Sequence, residues 1–227
     1  MGFFSPNFQH EGPEISKFEI QKYGPILFFQ LLIEKFWILI KLNFLFILFS
    51  IPIVTIPASI GAMTYITMNL IQRKHVFLLN DFIDKFKENF KQSTYCFIIA
   101  FTFLVLISFS LILYYMLGSQ NKIFLILFFI SIPIFILCNI AFIYLYPLIT
   151  TVNLPIHSII KNSFFLGIVC LKSSILVFII LSFIFVISII TFPISFLFLL
   201  ILFFSLISFI SSFIAYPCIK KYIAIEQ

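Results

Sequence analysis

The chain has 227 residues, 63% of them apolar and only 10% charged, with a mean hydropathy of +1.21. Soluble domains carry about 25% charged residues, so a water-soluble fold is excluded and lipid is the solvent for most of this chain. The net charge of +6 does not call for nucleic acid, because Lys and Arg gather at the ends of apolar runs, as the positive-inside rule predicts.

Residues 1–25 form a polar arm with Pro6, Pro13 and Pro25. A short amphipathic turn is expected over Ile15–Tyr23. The arm holds no apolar h-region, so insertion through an uncleaved first helix is expected. Pro6 stands where a myristoylation motif wants Ser or Thr. Residues 26–227 read as a single transmembrane helical domain.

The first span is predicted over Phe36–Ile53, with Lys35, Lys41 and Trp37 suited to an interface. Pro52 and Pro57 then bracket a turn that contains Thr55. Two readings are open: one long kinked helix reaching Ile71, or a tight hairpin whose second helix runs Ala58–Ile71. Charge favours the hairpin. Six spans with both termini cytoplasmic put every Lys and Arg inside except Lys122. Five spans with an outer N-terminus also put Lys17, Lys22, Lys35 and Lys41 outside, which fits the rule less well. The six-span topology places residues 51–57 on the outside.

Residues 72–93 are the largest charged block. Leu79, Phe82, Ile83, Phe86 and Phe90 recur at steps of three and four, one face of a helix. Asn80, Asp81, Asp84, Lys85, Lys87, Glu88 and Lys91 take the other face, with Asp81 and Lys85 as an i,i+4 pair. An interfacial helix on the cytoplasmic side is expected. Later spans are predicted at Thr94–Leu117, Ile123–Pro147, Ser173–Thr191 and Ile194–Pro217. The connector Leu148–Cys170 repeats apolar residues at helical spacing and makes a second cytoplasmic interfacial helix. Span, interfacial helix and span thus occur twice, at 58–117 and 123–191, a weak internal repeat. The fold class is an all-α, polytopic helical bundle of about six spans, five being the alternative.

No Gly-rich phosphate loop, HExxH or GxSxG occurs. His10, His75 and His157 fall in separate connectors. Cys96, Cys138, Cys170 and Cys218 lack metal-ligand spacing and read as packing residues. No catalytic residue, metal or cofactor is expected. Two groups stand out. Asp81, Lys85, Lys87, Lys91 and Lys161 would share the cytoplasmic side and could dock a membrane or cytoplasmic protein, or form a solvated surface. Asn43, Pro52, Thr55, Pro57, Gly61 and Asn69 are candidates for the turn and for helix packing. Small residues such as Ala58, Ser59, Gly61 and Ala62 let helices approach closely. Asn43, Asn69, Asn139 and Thr150 would be satisfied by interhelical hydrogen bonds.

The segment LNFLFILFSIPIVTIPASIGAMTYITMNLIQRKHVFLLNDFIDKFKENFKQS resembles the defining region of the YesL-like family of bacterial integral membrane proteins. The resemblance rests on Asn43, Ile51 to Ile56, Ala58 to Tyr65, Arg73 and Phe86 to Gln92. The second connector, TVNLPIHSIIKNSFFLGI, also resembles the family's Leu-Lys-Asn-Ala segment, with Ser163 in place of the usual Ala. Pro57 departs from the family, which often has Gly there. The resemblance implies a multi-pass protein of the bacterial plasma membrane with no assigned activity. The family's members stand beside carbohydrate-uptake transporters and glycosidases. That implies an accessory role in solute or carbohydrate import, with a small-solute permease as the alternative.

Overall fold

The computed structural model describes residues 24–223 other than 120, 153 and 194. The Ile15–Tyr23 turn and most of the predicted arm lie outside the described residues. The described residues are helical, without strands. In order they form α1 (Pro25–Glu34), α2 (Phe36–Phe49), α3 (Ile56–Ile71), α4 (Leu78–Glu88), α5 (Phe90–Leu117), α6 (Lys122–Thr151), α7 (Ile156–Val169) and α8 (Leu171–Ile190). The chain closes with α9 (Ser195–Phe198), a π-helical turn (Leu199–Phe203) and α10 (Phe204–Tyr222).

Among the described residues five stretches are long and apolar enough to cross a membrane: Ile53–Ile71, α5, α6, α8 and Ser195–Tyr222. Four of them have mean hydropathies of 2.7–2.9 and present apolar side chains outward, as lipid-facing helices do. Ile53–Ile71 differs. Its mean hydropathy is 1.3 and 61% of it is buried, so protein surrounds it rather than lipid.

The predicted first span, Phe36–Ile53, is not one helix. The helical run starts earlier, at Pro25, and breaks at Lys35 (φ −103°, ψ 8°). The α2 piece has 14 residues and ends at Phe49. That reaches about 21 Å, short of the roughly 30 Å hydrocarbon core.

Of the two readings of the prolines, the hairpin is the one observed. Pro52 is extended, a 3₁₀ turn covers Ile53–Thr55, and α3 begins at Ile56. Thr55 closes the turn. Its Oγ1 lies 2.5 Å from the Phe49 carbonyl and 2.6 Å from that of Pro52. Pro57 occupies the first turn of α3, where a missing N–H costs no hydrogen bond.

α4 doubles back along α3. Lys85 Nζ stands 5.0 Å from the centroid of the Tyr65 ring. One turn further on, a Cβ at Gly61 would lie 2.8 Å from Ser93 Oγ, three residues into α5. Phe49, at the end of α2, packs on Phe82 and Phe86 with centroids 5.2 and 5.3 Å apart. The Pro52–Pro57 turn therefore adjoins α4 and the start of α5. This corrects the expected placement of the turn across the membrane from α4. From Ser93 to Leu117, α5 runs on for about 36 Å. α2, at 14 residues, is too short to carry the turn to the far end.

α5 and α6 form a long hairpin, zipped by Tyr114 on Phe124, Tyr115 on Phe128 and Phe97 on Phe142. Asn121 caps α6 by accepting from the Ile123 N–H at 3.0 Å. α7 then leans back along α6, so closely that a Cβ at Gly167 would lie 2.9 Å from Ile140. The order long helix, short returning helix, long helix thus occurs twice, as α3–α4–α5 and α6–α7–α8. Each short helix meets the next long one through a single non-helical residue, Asn89 (φ −92°, ψ 3°) or Cys170 (φ −96°, ψ 34°).

Candidate functional site

Two arrangements carry polar chemistry. The first is a seam between α2, α3 and the last long helix. Asn43 is wholly buried on α2. Its Nδ2 donates to the carbonyls of Leu199 (3.2 Å) and Leu200 (2.7 Å). Its Oδ1 accepts from the N–H groups of Phe204 (3.0 Å) and Ser205 (3.1 Å). Both faces of one amide thus bind the two edges of the π-helical turn. A π turn spaces its backbone partners one residue too far for regular helix pairing. The Asn43 amide gives these four backbone groups a side-chain partner in an apolar surround, where a polar backbone group is costly to leave unpaired.

Below that grip, hydroxyls line the α3–α10 contact. Thr67 Oγ1 lies 2.9 Å from Ser212 Oγ and 3.2 Å from Ser208 Oγ, and Thr64 Oγ1 lies 3.5 Å from Ser208 Oγ. Each threonine hydroxyl also lies in reach of a carbonyl of its own helix, Ile60 for Thr64 and Thr64 for Thr67. Ser59 and Ser205 bond back to Thr55 and Leu202. All six of these side chains are buried. Sequence reading passed over Thr64, Thr67, Ser205, Ser208 and Ser212. The signal was present as Ser205, Ser208 and Ser212 at i, i+3 and i+7, one stripe of an otherwise apolar helix.

The other residues chosen for packing or the turn scatter. At Gly61 α3 comes so near Ser93 that a Cβ would crowd its hydroxyl, which is buried without a partner among the described residues. Pro52 is exposed and Pro57 buried. Asn69 is half-buried, and its carbonyl accepts from Lys74 N–H at 3.0 Å. That bond belongs to a tight end of α3. Arg73 N–H reaches the Leu70 carbonyl at 3.1 Å, and Arg73 itself is left-handed at φ 54°. This is the geometry in which glycine usually stops a helix. Asn139 and Thr150 bond to carbonyls within their own helix, α6, rather than between helices.

The second arrangement is the charged face of α4. Phe82 is fully buried and Phe86 packs on Phe49, so this side holds the helix to the bundle. Leu79, expected on that stripe, is 58% exposed beside α2 instead. Asp81 and Lys85 do not pair. Asp81 Oδ2 caps the helix by accepting from Phe77 N–H at 2.8 Å, and Lys85 Nζ pairs with Glu88 at 2.6 Å. Lys87 and Lys91 are exposed. Lys161 is exposed on α7, which leans on α6 while α4 leans on α3. The link between the two regions is Gln92, whose Nε2 donates to the Leu154 carbonyl at 2.7 Å, just before α7.

The four cysteines are free. Between α7 and α8, burial and then the neighbouring Cys218 push the Cys170 thiol up to about 12, which holds it as an unreactive thiol. Among the described residues no three His, Cys, Asp or Glu side chains are grouped to hold a metal.

The fold and both arrangements define an all-helical bundle with a multi-pass membrane composition. Residues 39–111 match the family model described as protein of unknown function, DUF624. The matched stretch takes in Asn43, the proline turn, the Gly61–Ser93 approach and the whole of α4. It leaves out the last long helix that Asn43 grips. No curated protein and no solved structure matches the chain.

Proposed function

We propose that this protein is a non-enzymatic, multi-pass protein of the bacterial plasma membrane, working as an accessory to a solute or carbohydrate import system. The carrying observation is the two-sided character of α4. One side is fixed to the bundle by Phe82 and Phe86, and the other presents Asp84, Lys87 and Glu88 outward, with Lys91 just beyond. Mixed charges on an anchored helix suit recognition of a partner more than raw affinity. The polar side chains of the seam bond to one another or to backbone. Two clefts, one between α5, α6 and α7 and one between α2 and α4, have almost wholly apolar walls. Neither suits a hydrophilic solute. The YesL-like resemblance is what turns a docking face toward import.

The alternative is a permease in its own right. It draws on the π turn with a hydroxyl seam beside it, since transporters build sites where a helix is broken. One comparison separates the two. Lys87→Glu with Lys91→Glu should abolish co-purification of the partner from native membranes and leave the bundle folded. Sugar uptake by the purified protein alone in liposomes, retained in that double variant, would replace the accessory reading with the permease.

A further inference from the structure

α2 carries a stripe that the docking face and the seam do not use. Trp37, Lys41, Phe44 and Leu48 follow at helical spacing and are all exposed, Trp37 at 74% and Leu48 at 60%. Leu78 and Leu79 of α4 stand beside Lys41, Phe44, Leu45 and Leu48 and turn the stripe into a groove. The ordering along α2 is chemical. An indole comes first, then an ammonium, then two turns of purely apolar wall. Indole rings sit at headgroup level, and a lysine just inside reaches back toward phosphates on its long stem.

Lys41 is the only charge within the 14 residues of α2. No carboxylate pairs with it among the described residues, where the ion pair is Lys85–Glu88. A cation held on a lipid-facing apolar helix calls for an anion. A shallow, open groove with its cation at one end and an apolar wall beyond it complements a molecule with an anionic head and a hydrocarbon tail. We propose that the α2–α4 groove binds an anionic glycerophospholipid, with its phosphate on Lys41 and an acyl chain along Phe44, Leu45 and Leu48. This stands apart from the accessory role and does not depend on it.

The test uses the full chain purified in detergent, offered dioleoyl phosphatidylglycerol or dioleoyl phosphatidylcholine, with retained lipid counted by native mass spectrometry. Wild type should retain the anionic lipid about fivefold better, the factor that one basic side chain is worth at an anionic surface. Lys41→Gln should erase that preference, Lys41→Arg should keep it, and Lys87→Gln on the opposite face of α4 should leave it unchanged. Leu79→Trp fills the groove with the charge intact and should expel both lipids, which keeps the proposal testable if Lys41→Gln does not fold. Equal retention of the two lipids by wild type, or an unchanged preference in Lys41→Gln, overturns it. So does a photo-crosslinker at Phe44 that captures a second copy or another polypeptide in native membranes and no lipid.

Discussion

Asn43→Leu is the most informative single change, because one side chain holds four hydrogen bonds to one break in a helix. The substitution is close in volume and apolar, so packing is nearly kept while every bond is lost. Interhelical hydrogen bonds in membranes average about 0.6 kcal/mol and reach about 1.7, so four give about 2 kcal/mol at the average and about 7 at the maximum. A loss at or above the average figure is expected, because four backbone groups of Leu199, Leu200, Phe204 and Ser205 lose their side-chain partner in an apolar setting. The assay is equilibrium unfolding in mixed micelles, read by tryptophan fluorescence from Trp37. A second arm isolates the cause. Deleting Ile201 removes the extra residue of the π turn and lets the last helix pair regularly. In the Asn43→Leu background that deletion should recover part of the loss, and in wild type it should destabilise. A loss below about 1 kcal/mol for Asn43→Leu, or no recovery on deletion, would refute the reasoning that the amide exists to satisfy the π turn.

Gly61→Ala should cost less than about 1 kcal/mol, since the Ser93 hydroxyl it meets can rotate away, whereas Gly61→Leu should prevent assembly because its Cβ already crowds Ser93 and three further carbons follow; yield and gel-filtration profile distinguish them. Ser93→Ala should be neutral or stabilising in the same unfolding assay, because it removes a buried hydroxyl without a partner. Arg73→Gly should stabilise by about 1 kcal/mol by relieving the left-handed backbone, while Arg73→Val should destabilise. A cysteine at Val54, in a background without the native cysteines, should resist an impermeant maleimide applied outside intact cells, since the turn adjoins α4; rapid labelling from outside would restore the six-span placement.

Much of the bundle was legible because lipid imposes simple rules. Long apolar runs with few charges gave α5, α6, α8 and the last helix, and the i, i+3, i+4 stripe gave α4 its buried face through Phe82 and Phe86. The prolines marked the turn, and the balance of Lys and Arg favoured the hairpin over one kinked helix. What was not legible depended on distant pairing. Asn43 could be picked out as a polar residue at depth, but its partners are backbone groups about 160 positions away, and a π turn leaves no mark in composition. Lys85 has two acidic neighbours at helical spacing, Asp81 and Glu88. The choice of Glu88 follows from Asp81 being drawn to the open N-terminus of α4, where its carboxylate meets a free N–H.

The placement of the turn fails for a related reason, and it shows how the molecule is organised. The positive-inside rule weighs charged loops, and residues 51–57 carry no charge, so the rule cannot feel which end of the bundle they occupy. Ile51, Ile53 and Val54 are exposed and apolar, the Pro52 carbonyl accepts from the Thr55 N–H at 3.0 Å, and the Thr55 hydroxyl lies within reach of the Phe49 carbonyl. Such a turn presents mainly apolar side chains outward. The short hairpin can therefore end against α4 and α5 rather than run to the far end. α3 is freed from facing lipid, and its small and hydroxyl-bearing face can meet α10 directly. Ile53–Ile71 accordingly has the lowest hydropathy of the five long stretches and the deepest burial. A helix enclosed by protein can carry Ser59, Thr64 and Thr67 at a cost that a lipid-facing helix could not sustain.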